Sequence, residues 1–204
     1  MNRAAVRSAY TIGLCAFFSF NLPAQPQYAV TDLGTLGGPT AVAHGINGPG
    51  QVVGEADTIG GIRHAFIWTS GSIQDLNALI EPNAAYAINN QNQVVGSEGP
   101  TLQVVDGGLT GPPGPANGFF WTSAEGIQTL PSLPGAPYTV GLAINAAGQI
   151  AGTSTTPNPY TRAVLWSSAT SAPQDMGGGG PSSLATASIV RSRSSGGQTT
   201  GAAR

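Results

Sequence analysis

Cysteine and charge are what this 204-residue sequence has least of. Cys15 is the sole thiol, so a chain cleaved after Ala24 would keep none. That form can use neither disulfide staples, thiol catalysis nor cysteine metal sites, and must be held by apolar packing and backbone pairing. Charged residues make up only 8% of the chain. Between Gln25 and Gly180 the bases are Arg63 and Arg162, facing Asp32, Glu55, Asp57, Asp75, Glu81, Glu98, Asp106, Glu125 and Asp175. No basic stripe exists to neutralise phosphates, so nucleic acid is not expected as a partner. Long hydrophobic runs are also missing. The longest mostly apolar stretch, Ala9 to Phe20, falls short of the ~20 residues that span a bilayer.

That stretch follows Arg3 and Arg7 and precedes Leu22-Pro23-Ala24, which is the layout of a cleaved export signal over residues 1–24. The expectation is a secreted or extracytoplasmic protein with no transmembrane segment in the mature chain. Gly13-Leu14 before Cys15 does not form a lipoprotein box.

What the sequence has in abundance is glycine and proline, thirty and sixteen residues, which favours short strands joined by many turns over long helices. It also has a repeat. Ala43 to Gly54 reads Ala-His-Gly-Ile-Asn-Gly-Pro-Gly-Gln-Val-Val-Gly, and the pattern returns at Ala85 to Gly96 and at Leu142 to Gly152. A second pattern, His-Ala-Phe-Ile-Trp at 64–68, is matched by Asn117 to Trp121 and Arg162 to Trp166. The repeats span about 41–77, 84–130 and 139–177, within a β-repeat region of 25–180.

Each repeat supplies about four strands. Val42 to Ile46 and Gln51 to Ala56 form the first pair, joined by Asn47-Gly48-Pro49-Gly50. The matching turns are Asn89 to Asn92 and Asn145 to Gly148. An Asn opening the turn suits a side chain that bonds back to the backbone, and a Gly or Asn closing it suits positive φ. These turns carry no carboxylate, which argues against calcium loops. His64 to Trp68 is a third strand, and Ile73 to Asn77 a fourth, matched by Ile127 to Leu130 and Gln174 to Met176. Alternation places 64, 66 and 68 on one face and 65 and 67 on the other. Both faces are apolar, so each small sheet requires cover on both sides.

Four short strands in roughly 40–55 residues is the pattern of a propeller blade. The fold class expected is all-β, with propeller-like repeats of about four short antiparallel strands and three blades present. An extra strand at Gln27 to Leu36 leads the repeats. Loop 97–116 carries Gly111-Pro112-Pro113-Gly114-Pro115 and is expected to be mobile.

Tyr28 to Gly38, the Gly-Ile-Asn-x-x-Gly-Gln-Val-Val-Gly pattern at 45–54 and His-Ala-Phe-Ile-Trp at 64–68 together resemble the HAF-repeat proteins, predicted extracellular bacterial repeat proteins. The resemblance covers about Tyr28 to Pro181. It implies export and a propeller-like repeat architecture, and brings no activity or catalytic residues. Two copies depart from the triplet: Gly118-Phe119-Phe120 and Ala163-Val164-Leu165.

Closed propellers use four to eight blades. Three imply either that chains assemble, giving a homo-oligomer, or that the chain is a fragment of a longer one. The tail, 181–204, is low in complexity and expected to be disordered. Its Ser188-Ile189-Val190-Arg191 breaks an approach to a fourth repeat, and a shifted reading frame there is compatible with Ile-Asn-Ser-Ala followed by Gln-Val-Val-Gly-Gly. A frameshift in an ancestral longer gene and an ordinary Ser/Gly-rich tail both account for it.

Site signals are sparse. The chain has no Gly-x-Ser-x-Gly elbow, His-Glu-x-x-His or phosphate loop. No pattern calls for a cofactor or a metal. Glu55 and Asp57 share a strand face, as a glycosidase pair would. Their aligned positions hold Ser97 and Gly99, then Thr153 and Thr155, so they read as a solvated strand terminus. His44 aligns with Tyr86 and Leu142 and reads as structural. The aligned trio His64, Asn117 and Arg162 can donate hydrogen bonds, and each member opens the same strand, which makes it the candidate ligand site. The function expected is a non-enzymatic binding module with a protein or glycan partner. The alternatives are a carbohydrate-active hydrolase or lectin-like relative and a non-functional truncated fragment.

Overall fold

The computed structural model describes residues 28–78, 80–99, 103–105, 108–110, 116–136, 138–155 and 161–177. The chain divides into Met1–Asp32 and Leu33–Arg204. The export signal and the tail lie outside the described residues. Of the first unit, Tyr28 to Asp32 carry no strand, and Tyr28 and Val30 are fully exposed. The leading strand expected at 27–36 is therefore corrected. Gly34 turns left-handed, at φ 78°, and interrupts the extended run before the first strand begins at Gly37.

The second unit is all β among its described residues, in three antiparallel sheets of four strands. The first sheet is β1 (Gly37–Ile46), β2 (Val52–Thr58), β3 (Arg63–Thr69) and β4 (Ser72–Asp75), in chain order. The second is β5 (Asn83–Ile88), β6 (Val94–Glu98), β9 (Asn117–Thr122) and β10 (Gly126–Thr129). Between β6 and β9 a separate hairpin is inserted, β7 (Gln103–Val105) with β8 (Gly108–Thr110). Loop 97–116, expected to be mobile, thus contains a pair of short strands. Its Gly/Pro content masks the short β-forming pieces Val104-Val105 and Leu109. The third sheet is β11 (Thr139–Ile144), β12 (Ile150–Thr155), β13 (Thr161–Trp166) and β14 (Gln174–Asp175).

The first hairpin of each sheet follows the same design. The turn Asn accepts from the backbone of the Gln four residues on: Gln51 N to Asn47 Oδ1 is 2.8 Å, and the two equivalents are 3.0 Å. The closing residues Gly50, Asn92 and Gly148 have φ of 86°, 61° and 77°. On the first strand a β-bulge adds one residue, His44, Tyr86 or Leu142, opposite Gly54, Gly96 or Gly152. The bulge pushes a carbonyl over that glycine. A Cβ there would overlap the carbonyl oxygen of Val42, Ala84 or Val140 and crowd the ring of Phe66, Phe119 or Trp166. The glycine ending each Gln-Val-Val-Gly or Gln-Ile-Ala-Gly motif is therefore set by close backbone approach.

Alternation along the strands builds two dry layers. Ala65 and Ile67 of β3 meet Val94, Phe119 and Trp121 of the second sheet. The opposite face of that sheet, Val95 and Phe120, meets Ile150, Val164 and Trp166 of the third. The second sheet is thus covered on both sides. Tryptophan burial follows its position: Trp166 is 0% exposed, Trp121 8%, and Trp68 is half-buried. No helix among the described residues is long and apolar enough to cross a membrane.

Candidate functional site

His64, Asn117 and Arg162 sit at or next to the start of the third strand in their sheets, as the alternation predicts. Two of them bind acids that follow them in the chain. His64 Nδ1 is 2.6 Å from Asp75 Oδ2, and its Nε2 is 2.9 Å from Glu81 Oε1. Arg162 Nε donates to Asp175 Oδ2 at 3.1 Å. Asp75 and Asp175 are aligned residues on the fourth strand, so each pair clasps the third strand to the fourth. Each aspartate also caps the turn that follows, accepting from Asn77 N at 2.7 Å or Gly177 N at 2.9 Å. Asn117, half-buried, pairs in register with Glu98 on β6.

An imidazole flanked by two carboxylates can donate to both only as the imidazolium. Burial pulls the His64 pKa down. The hydrogen bonds and charges of Asp75 and Glu81 outweigh it, and the pKa lies above the ordinary 6.5.

A second polar cluster escaped the sequence. Glu55 is only 9% exposed, and its Oε1 accepts from Arg63 Nη1 at 3.0 Å and lies 3.8 Å from His44 Nε2. Arg63 Nε is 3.7 Å from Asp57 Oδ1. The reading of Glu55 and Asp57 as a solvated strand terminus is corrected, because β2 continues to Thr58 and the buried Glu55 is held by an arginine on the adjacent strand. Thr40 donates its hydroxyl to Asp57. The His44 ring then packs on Tyr86 of the next repeat, with centroids 5.4 Å apart and planes at 48°. Ser97 Oγ lies 3.4 Å from the Tyr86 hydroxyl. Burial raises the Tyr86 pKa above its ordinary 10.0; the Glu55 charge adds to this, and the Ser97 hydrogen bond and Arg63 oppose it.

The signal for this cluster lay in the repeat columns. His44 and Tyr86 are the same bulge position, and Glu55 and Ser97 the same second-strand position, so stacking brings successive copies side by side. Among the described residues no group of three or more His, Cys, Asp and Glu is arranged to hold a metal ion. The Asn47, Asn89 and Asn145 Oδ1 atoms are each committed to backbone N–H donors.

No family model matches this chain, and no curated protein or solved structure matches it.

Proposed function

We propose that this is an exported, propeller-type repeat protein of the HAF-repeat kind. In this reading it acts at the cell surface or outside the cell as a binding module rather than as an enzyme. The observation that carries the reading is the fate of its charged groups. Arg63 is tied to Glu55 and Asp57, His64 to Asp75 and Glu81, and Arg162 to Asp175. Acids and bases committed to one another form a rigid polar surface, and rigidity lowers the ordering cost of binding. Propeller-type stacking is supported by the meander order of each sheet and by the apolar layers between successive sheets.

The partner surface we assign is the seam of His44, Tyr86 and Arg63 over Glu55. A half-buried tyrosine and an exposed histidine, in ring contact beside a guanidinium, suit a glycan or an extended peptide carrying carboxylates. A carbohydrate-active relative is the second reading, and the placement of Glu55 beside those rings is what favours it. A glycan and peptide array run beside a hydrolysis screen separates the two. Binding weakened at least tenfold by Tyr86→Ala, with no hydrolysis, is the expected result. Hydrolysis abolished by Glu55→Gln would replace the binding role with the enzymatic one.

A further inference from the structure

We infer that two copies of this chain pair head to tail, the first strand of each seating on the third sheet of the other, so that six sheets close into one ring. The inference extends the propeller-type stacking proposed above and is independent of the binding role.

The first observation is a directional ladder of asparagines. Asn47 Nδ2 donates to the Asn89 carbonyl at 3.1 Å, and Asn89 Nδ2 to the Asn145 carbonyl at 3.0 Å. Each also donates to the Gln of its own turn, at 2.7 and 2.6 Å. Covered by the following turn, Asn47 is 9% exposed and Asn89 6%. Asn145 is exposed, and among the described residues its Nδ2 donates to Gln149 Oε1 alone, at 2.8 Å. At the other end the Asn47 carbonyl accepts from Gly50 N, whereas the Asn89 and Asn145 carbonyls take a second donor from the preceding turn. The ladder thus ends in a spare donor on the third turn and a spare acceptor position on the first.

The second observation is burial, and it is independent of the asparagines. On β1, Ala41, Val42, Ala43 and Ile46 are all exposed, Val42 at 46% and Ile46 at 69%. The residues aligned with Val42, Ala43 and Ile46 on β5, Ala84, Ala85 and Ile88, are buried, because β5 lies against β1, β2 and β3 of the preceding sheet. At the far end, Ala151 and Leu165 are half-buried, while the aligned Val53, Val95, Ile67 and Phe120 are at most 7% exposed. Among the described residues the first sheet therefore lacks a predecessor along β1, and the third lacks a successor.

The junctions already present show how the gap is filled. β11 lies against β5, β6 and β9 as β5 lies against β1, β2 and β3. By the same rule, β1 of a second copy lies across β11, β12 and β13, and Asn145 Nδ2 donates to the carbonyl of Asn47 in that copy. Each chain offers one end of each kind, so the contact is heterologous and two equal junctions close it. Six sheets fall within the four to eight of closed rings.

Light scattering and sedimentation of the purified protein test this, with two blocked variants. Val42→Glu with Ile46→Glu blocks the head, and Leu165→Glu blocks the tail. The wild type is expected at twice the monomer mass, each variant alone at monomer mass, and an equimolar mixture of the two at dimer mass, since one intact junction remains. Asn145→Ser, at an exposed position, tests the ladder even where a blocked variant loses its β circular dichroism. It is expected to weaken pairing about a hundredfold, the equivalent of one hydrogen bond at each of the two junctions. A monomeric wild type, a blocked variant that still pairs with itself, a mixture that stays apart, or open-ended polymers would each overturn the inference. Glycan or peptide binding by a monomeric wild type would remove the pairing and leave the binding role standing.

Discussion

His64 shows how one residue type at one position acquires its role from its neighbours. At the head of β3 it reads as an available donor, yet Asp75 and Glu81 occupy both of its nitrogens. Its pKa is raised in the folded protein, so the imidazolium binds its proton more tightly there than in the unfolded chain. The stability this contributes is fully present below the unfolded value of 6.5 and is lost as pH rises through the folded value. Urea midpoints recorded from about pH 5 to about pH 8 should therefore fall across that window relative to a His64→Gln variant, whose curve lacks this component. A difference between the two proteins that stays constant with pH would show that His64 is not held as an imidazolium.

At the scale of the element, the unit that recurs is a hairpin with a bulge on its first strand. The bulge lets His44, Tyr86 and Leu142 leave the ladder, and it demands a glycine opposite. In Gly96→Ala the new methyl meets the Ala84 carbonyl and the Phe119 ring, one backbone and one fully buried, and neither can give way cheaply. A loss of about 3 kcal/mol is expected, read as a lower urea midpoint with unchanged m-value. The same substitution at Gly61, where no atom lies within 4 Å of the added methyl, changes no packing and is limited by its φ of 77°. Hairpin and bulge share one backbone register, which is why the Asn turn and the Gln-Val-Val-Gly motif recur at a fixed separation.

The whole molecule is held by contacts between sheets, and these are graded by position. Trp166 and Trp121 lie in the two apolar layers, while Trp68 is half-buried. The asparagine ladder has the same gradient. Asn89 makes two bonds to backbone N–H groups, one to Gln93 and one to the next repeat, all in a buried setting. Asn145 makes the local bonds alone and is exposed. At about 1 kcal/mol for each bond lost in a buried site, and less for each exposed one, Asn89→Ala is expected to cost about 4 kcal/mol and Asn145→Ala about 1 kcal/mol. Chemical denaturation of the two variants checks the order. Equal losses would mean that the bond between repeats contributes nothing.

Much of this was legible in the sequence because it depends on neighbours along the chain. The turn Asn, the positive-φ closing residue, the alternation of His-Ala-Phe-Ile-Trp and the four-strand period are local, and backbone geometry reads them directly. The glycine opposite the bulge was visible as a repeat but not as a requirement, since the carbonyl that enforces it sits on a different strand. The loop hairpin Gln103–Val105 with Gly108–Thr110 was hidden by the glycines and prolines around it.

What the sequence alone determined was the repeat, its strands and the need of each sheet for cover on two sides. Only the tertiary structure decided which charges meet. Glu55 looked solvated until Arg63 and the His44–Tyr86 contact closed over it, and His64 looked available until Glu81 approached from beyond β4. The reason is range. Strand geometry is fixed by bonds a few residues apart, whereas the environment of a charge depends on whichever residues packing brings within a few ångströms, and the order of residues along a chain does not contain that distance.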